Sequence, residues 1–185
     1  MSPPDRPRRA HANSQGVAIL AVIIFLGIPG CASTTRGPYA VQSEIGRDPQ
    51  RAQALNLQAA DLLSIDPERA ETLLTKALAA DLYHGPTHNN LGVLYLEQGK
   101  LYEAASEFEW ARKLLPGHPD PRLNLAVALE RAGKIDDAME TYRTALEVYP
   151  GHLPTIQALV RCQIRLGRSD DSTRAMLEEI TLRST

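Results

Sequence analysis

Three histidines recur at an interval of 34 residues, at His84, His118 and His152. Imidazole is a common metal ligand, but a zinc site needs every ligand atom within about 2.1 Å of the ion. Packed helices lie about 8–10 Å apart, so histidines that occur once per structural repeat cannot share one ion. His84 and His88 flank a Gly-Pro turn and do not lie on one helix face. The sequence therefore predicts no metal site.

Other patterns that support catalysis or cofactor binding are also missing. The chain has no glycine-rich phosphate loop, no paired-glutamate motif, and no Ser/His/Asp or Cys/His set in a recognisable context. Cys162 falls in an apolar helical segment, where we expect a half-buried and unreactive thiol. We expect a protein that is not an enzyme and has no cofactor. The net charge of −2 gives no support for nucleic acid as a partner.

The 34-residue interval extends far beyond the histidines. Residues 85–118 align with residues 119–152, and small and apolar residues meet at equivalent positions. The matching pairs are Leu91 with Leu125, Gly92 with Ala126, Ala104 with Ala138, Phe108 with Tyr142, Ala111 with Ala145, and Pro116 with Pro150. A period of this length is typical of stacked helix pairs, which offer extended surfaces to other proteins.

Turn residues divide each repeat into two helices. Glycine recurs at Gly99, Gly133 and Gly167, where each residue suits the left-handed conformation that follows a helix C-terminus. In the first repeat, Asp66 and Pro67 replace the glycine and predict a helix start.

These spacings resemble the tetratricopeptide repeat over residues 51–185. The resemblance implies an all-α superhelix, or solenoid, of about four helix pairs, at residues 51–84, 85–118, 119–152 and 153–185. The fourth repeat departs from the pattern, since Glu179 stands where the others have alanine. The resemblance also implies that the first helix of each pair lines a concave groove that binds other proteins.

Helical spacing then predicts which first-helix side chains face this groove. The candidate partner-binding residues are Asn56, Asn89, Asn90, Val93, Asn124, Val127, Arg131, Gln157, Arg161 and Arg165. Ala59, Glu97 and Asp120 are expected to face outward on the same helices.

Two chemical features stand out in this set. Asn56, Asn90 and Asn124 lie 34 residues apart, and each amide offers a donor and an acceptor to the backbone of an extended peptide. The alternative is local hydrogen bonding at helix ends. Three arginines predict a basic C-terminal part of the groove that suits acidic side chains or a terminal carboxylate, unless they form a solvated face. They are Arg131, Arg161 and Arg165. The Lys/Asn pattern of the family's chaperone-tail clamp is absent, so we do not predict that ligand.

One second helix breaks the repeat. Tyr102, Ser106 and Trp110 share one helix face, where the other repeats carry polar residues. Exposed tyrosine and tryptophan are favoured binding anchors. We therefore predict a convex contact patch at Tyr102 and Trp110, with simple coverage of neighbouring side chains as the alternative for Trp110.

The N-terminus has the pattern of a secretory signal. Three arginines in residues 6–9 precede an apolar run at residues 17–28, which is too short to cross a bilayer. The run ends Ile28-Pro29-Gly30-Cys31 and resembles a bacterial lipobox. The resemblance implies a signal peptide at residues 1–30, a diacylglyceryl group on the Cys31 sulfur, and acylation of the new N-terminus. Residues 31–48 would form a flexible tether. An uncleaved anchor or an ordinary signal is the alternative.

Together these features predict a lipid-anchored scaffold of the bacterial cell envelope. Ala32 after the cysteine favours the outer membrane, facing the periplasm, by analogy with the enterobacterial sorting rule. The expected partners are other proteins and, through the lipid, the membrane, in assembly of a complex such as a pilus or secretion system. Alternatives are an adaptor for cell-wall enzymes, a cytosolic scaffold whose N-terminus is misinterpreted, and a small-ligand carrier, which would need an enclosed cavity.

Overall fold

The structure, a computed structural model, describes residues 46–183. That range contains α helices and no strand, which confirms the predicted all-α fold. The helices are α1 (Pro49–Ala60), α2 (Pro67–Ala80), α3 (Gly85–Glu97), α4 (Leu101–Leu114), α5 (Asp120–Arg131), α6 (Ile135–Val148), α7 (Leu153–Arg165) and α8 (Asp171–Arg183). None of the helices within residues 46–183 is long and apolar enough to cross a membrane.

The helices stack as successive pairs. Each first helix packs on the second helix of its own pair, and each second helix packs on the first helix of the next pair. The first helices also contact one another directly, α1 with α3 and α3 with α5. Because these first helices lie close together, they form the inner side of the stack. This arrangement is the predicted solenoid of four helix pairs.

The predicted helix boundaries have clear physical causes. The Asp66 carboxylate accepts a hydrogen bond from the Arg69 backbone N–H at 3.1 Å and caps α2, as the sequence predicts. Gly99, Gly133 and Gly167 have φ angles of 75°, 77° and 64°. A side chain is strained in this left-handed region, so glycine ends each first helix there and lets the chain reverse into the second.

The helical stack includes two residues that were predicted to belong to the tether. The Asp48 side chain caps α1 by accepting from the Arg51 N–H at 2.9 Å. Arg47 donates to both carboxylate oxygens of Asp81, at 2.8 and 3.1 Å. Burial opposes ionisation of Asp81, but these bonds and one from the Tyr83 N–H outweigh burial and hold its pKa below the ordinary value. Arg47 and Asp48 therefore belong to the helical stack, and assigning them to the tether was wrong.

The core consists of thin layers between neighbouring helices. Phe108 and Tyr142 occupy equivalent positions in the second and third pairs, and both are completely buried. Cys162 is completely buried in the same layer as Tyr142, and burial raises the pKa of its thiol. Cys162 was predicted to be half-buried, and the structure shows that it is completely buried. The reason is that its side chain lies in the core layer between α6 and α7.

The fourth pair is packed more loosely than the first three. Of the residues of α8, Thr173 alone is buried, at a helix start capped by Asp170. Glu179 forms an ion pair with Arg183 on the same helix. Leu182 is 77% exposed, so the surface of α8 is partly apolar.

Candidate functional site

The asparagine row on the first helices is partly bonded to itself. The Asn90 side-chain nitrogen donates to Asn56 Oδ1 at 2.9 Å, which joins α3 to α1. The Asn124 nitrogen donates to Asn89 Oδ1 at 3.0 Å, which joins α5 to α3. The bonds therefore run between helices of successive repeats, and the alternative of local helix-end bonding was wrong.

These contacts separate the asparagines into two kinds. Asn56 is only 4% exposed, so its amide chiefly serves as the acceptor for Asn90. Its assignment as a partner-binding residue is therefore corrected. Asn89, Asn90 and Asn124 are half-buried, and each uses one of the several hydrogen bonds that a carboxamide can form.

The two valines of the predicted groove pack against the core. Val93 and Val127 are half-buried and pack against the core layer around Phe108. Ala59 was expected to face outward, but it is completely buried against Leu74 of α2. The outward prediction failed for Ala59 because this position of α1 faces its own second helix.

The predicted basic stretch is largely neutralised. Arg131 donates to the Leu96 carbonyl at 3.1 Å and lies 3.6 Å from the Glu97 carboxylate. Arg165 forms an ion pair with Glu130 of the preceding repeat. Two of the three arginines thus hold successive repeats together, and the prediction of a basic C-terminal groove is corrected to this extent.

The remaining two candidate residues of this groove are exposed on α7. Within residues 46–183, Arg161 has no salt-bridge partner among the acidic residues, and Gln157 is exposed nearby on the same helix. The structure therefore leaves one predicted arginine open to an acidic group.

Tyr102 and Trp110 face different surroundings. Tyr102 is 88% exposed and lies at an apolar cleft of about 330 Å³ between α4, α5 and α6, with Leu101, Ala105 and Leu129 among its lining residues. Trp110 is half-buried and stacks on the His88 ring, with ring centres 5.6 Å apart and planes at 14°. The predicted patch is therefore corrected, because Trp110 covers a neighbouring side chain and, of the two aromatic residues, only Tyr102 is exposed.

Trp110 covers a buried polar pair that the sequence analysis missed. His88 is completely buried, and its Nδ1 lies 2.7 Å from Glu107 Oε2. Its Nε2 donates to the Leu82 carbonyl oxygen at 2.8 Å. The pair thus joins α3, α4 and the end of the preceding repeat. The sequence did contain a sign of this pair. The third repeat has Arg122 at the position of His88 and Thr141 at the position of Glu107, so the pair occurs in the second repeat and not in the third.

The recurring histidines His84 and His152 contact a nearby threonine through Nδ1 and the preceding first helix through Nε2, which lies 2.8 Å from Gln53 Oε1 and 3.1 Å from Asp120 Oδ1, respectively. His84 Nδ1 lies 2.6 Å from Thr87 Oγ1, and His152 Nδ1 lies 2.7 Å from Thr155 Oγ1. Burial lowers the pKa of His84 below its ordinary value. Within residues 46–183, no group of three potential metal ligands is close enough to hold an ion. Cys31, the predicted lipidation site, lies outside the described residues.

Comparison with known proteins identifies the fold independently. Residues 95–161 match the family model of the tetratricopeptide repeat. No curated protein matches the sequence. One similar solved structure is the first tetratricopeptide domain of Spaghetti (RPAP3) bound to the HSP90 peptide SRMEEVD. Its TM-score is 0.62 at 22% identity, with 66% of this chain and 98% of that chain covered.

Two further solved structures share the fold. A crystal structure of MamA has a TM-score of 0.63 at 19% identity and covers 74% of this chain and 80% of its own. The second such domain of human RPAP3, in complex with the HSP70 peptide SGPTIEEVD, has a TM-score of 0.57 at 22% identity. It covers 62% of this chain and 96% of its own. At these identities the similarity establishes the fold.

Proposed function

We propose, from the premise that the helix pairs of this chain are tetratricopeptide repeats, that the protein is a scaffold that binds a segment of another protein along its first helices. The observation that carries the proposal is the row of half-buried amides at Asn89, Asn90 and Asn124. These side chains are fixed by bonds between repeats, yet each keeps hydrogen-bonding capacity.

This row suits an extended peptide for a physical reason. A peptide backbone presents an N–H and a C=O at each residue, and burial of these groups without partners costs about 1–3 kcal/mol each. Fixed amides offer both types of partner and lose little side-chain entropy on binding. The half-buried Val93 and Val127 supply apolar surface next to the row.

The charges on the first helices limit how many acidic groups a partner segment can place in the groove. Arg131 and Arg165 are paired with acids of the stack, so the surface does not form a multi-arginine clamp. Arg161 can form an ion pair with one acidic side chain of the partner at the C-terminal part of the groove. The chaperone peptides bound by the two structural neighbours are acidic at several positions. The Lys/Asn pattern expected for such ligands is missing here, so we do not carry those ligands over.

Crosslinking from the first helices tests the scaffold function. A photoreactive amino acid at Arg161 on α7 is expected to give a specific crosslinked protein in cells. The matched control is the same amino acid at Arg69, an exposed arginine on α2. Equal products from both positions, or a product from Arg69 alone, would contradict binding along the first helices.

We further propose that a lipid on Cys31 anchors this scaffold at the periplasmic face of the outer membrane, where it helps to assemble an envelope complex. The support is the sequence Ile28-Pro29-Gly30-Cys31 after a short apolar run. Two acyl chains suffice for stable anchoring, because each buried CH₂ contributes about 0.8 kcal/mol. An anchor would also raise the local concentration of the scaffold for membrane-bound partners.

Membrane fractionation tests the anchor. The Cys31→Ala variant is expected to leave the membrane fraction and to lose incorporation of labelled palmitate, because no sulfur remains to carry the diacylglyceryl group. Cys162→Ala is the matched control and is expected to keep both properties, since Cys162 is completely buried. Unchanged fractionation and labelling of Cys31→Ala would refute the lipid anchor.

A further inference from the structure

One buried amide oxygen in the fourth repeat accepts no hydrogen bond from the residues that the structure describes. Gln163 on α7 is only 2% exposed, and its Oε1 is a buried atom that accepts no hydrogen bond within residues 46–183. Such a group costs free energy in the folded protein, because the amide has lost water without gaining a replacement. A buried amide of this kind indicates a missing partner.

The corresponding position of the third repeat shows that the amide is not required by the fold. Leu129 occupies the equivalent place on α5, where it packs as an apolar residue against the core. A leucine at Gln163 would fill the same place without an unsatisfied oxygen. Packing therefore does not explain the choice of glutamine.

Gln163 lines a cleft between three helices. The cleft has a volume of about 370 Å³ and lies between α6, α7 and α8. Leu146, Leu159 and Met176 form its apolar walls, and Arg143, Glu147 and Ser172 complete its lining. This volume falls within the range of small-molecule sites. It accommodates one large side chain together with adjoining backbone.

We propose that this cleft binds one residue of an extended segment of a partner protein, with an apolar side chain between Leu146, Leu159 and Met176 and the backbone of that residue paired with the Gln163 amide. The N–H and C=O of one residue in an extended strand point to the same side and can form two hydrogen bonds with a facing group. A carboxamide supplies the complementary acceptor and donor. The terminal torsion of glutamine is broad, so the amide can turn its oxygen toward the bound segment.

This site is separate from the asparagine row of the proposed scaffold function. The asparagine row joins the first helices α1, α3 and α5, whereas this cleft opens between the second helices α6 and α8. A negative binding result at one surface therefore does not contradict binding at the other. The loosely packed α8 forms one wall, so it can adjust to the bound segment.

Methyl NMR of the full chain with a minimal peptide probe tests this site. The probe is N-acetyl-leucine N′-methylamide, which carries one apolar side chain and one complete backbone residue. At millimolar concentrations it is expected to shift the methyl signals of Leu146, Leu159 and Met176, while Leu74 in the first repeat does not shift. The control probe carries an additional methyl group on the leucine nitrogen and is expected to bind about fivefold more weakly, because one hydrogen bond to Gln163 is lost.

The protein-side control is Gln163→Leu, which copies the third repeat. This variant is expected to lose the preference between the two probes and to melt several degrees higher, because the unsatisfied oxygen is removed. The difference in affinity between the two probes is measured on the unmodified chain, so it tests the proposal even if the variant fails to fold. Absence of shifts in the cleft, equal affinity for both probes, or an unchanged preference in the variant would each overturn the proposal.

Discussion

Replacement of Glu107 by leucine is expected to destabilise the protein by about 3 kcal/mol. His88 is completely buried and lies between two acceptors, the Glu107 carboxylate at 2.7 Å and the Leu82 carbonyl at 2.8 Å. The carbonyl can only accept, so the Nε2 proton is fixed and Nδ1 depends on Glu107. Leucine would remove the Glu107 carboxylate from contact with this completely buried Nδ1. Chemical denaturation monitored by circular dichroism measures this loss.

Glu107→Gln is the matched control for this prediction. A glutamine at the same place can donate from its amide to Nδ1 of a neutral imidazole, so we expect it to lose less than half as much stability as the leucine variant. The double variant His88→Leu/Glu107→Leu is expected to recover part of the loss, because replacing both members of a buried pair removes the unpaired group. Equal losses for the leucine and glutamine variants would show that the hydrogen bond contributes little.

Gly92→Ala is expected to destabilise the protein by about 2 kcal/mol, although alanine is the better helix former by about 1 kcal/mol. A Cβ at Gly92 would lie 2.6 Å from Cε1 and 2.7 Å from Cδ1 of Phe108. Phe108 is completely buried, so its ring cannot move away without displacing the core layer between α3, α4 and α5. Thermal unfolding of the variant measures the effect.

A double-mutant cycle separates this clash from other effects. Phe108→Leu removes the ring and is expected to be destabilising by itself. In the Phe108→Leu background, Gly92→Ala should cost at least 1 kcal/mol less than in the parent chain, since the clashing atoms are gone. Independent, additive effects of the two substitutions would refute the steric explanation.

The helices and turns of this fold could be predicted from residue spacing alone. The apolar period, the glycines at 99, 133 and 167 and the Asp66-Pro67 start each specify a local backbone conformation, and local conformation is what a sequence pattern encodes. Helical periodicity also indicates which face of a helix is buried. It does not indicate which side chain of the neighbouring helix a polar residue will meet.

That limit explains the errors at the candidate site. Asn56 and Asn90 lie on one predicted face, but their bond depends on how closely α1 and α3 approach. The pairing of Arg131 with Glu97 depends likewise on the register of adjacent repeats. Gln163 and the His88–Glu107 pair lie at positions whose residue type differs between repeats, so the 34-residue pattern gave no information about their partners.

The central claim is that this stack binds its partner along the first helices, and a scan of crosslinking positions tests it most directly. One photoreactive residue is placed in turn at an exposed position of each helix, and the yield of the partner adduct is measured. The account predicts high yields from α1, α3, α5 and α7 and low yields from α2 and α4. Yields that are highest from α2 and α4, with none from the first helices, would contradict it.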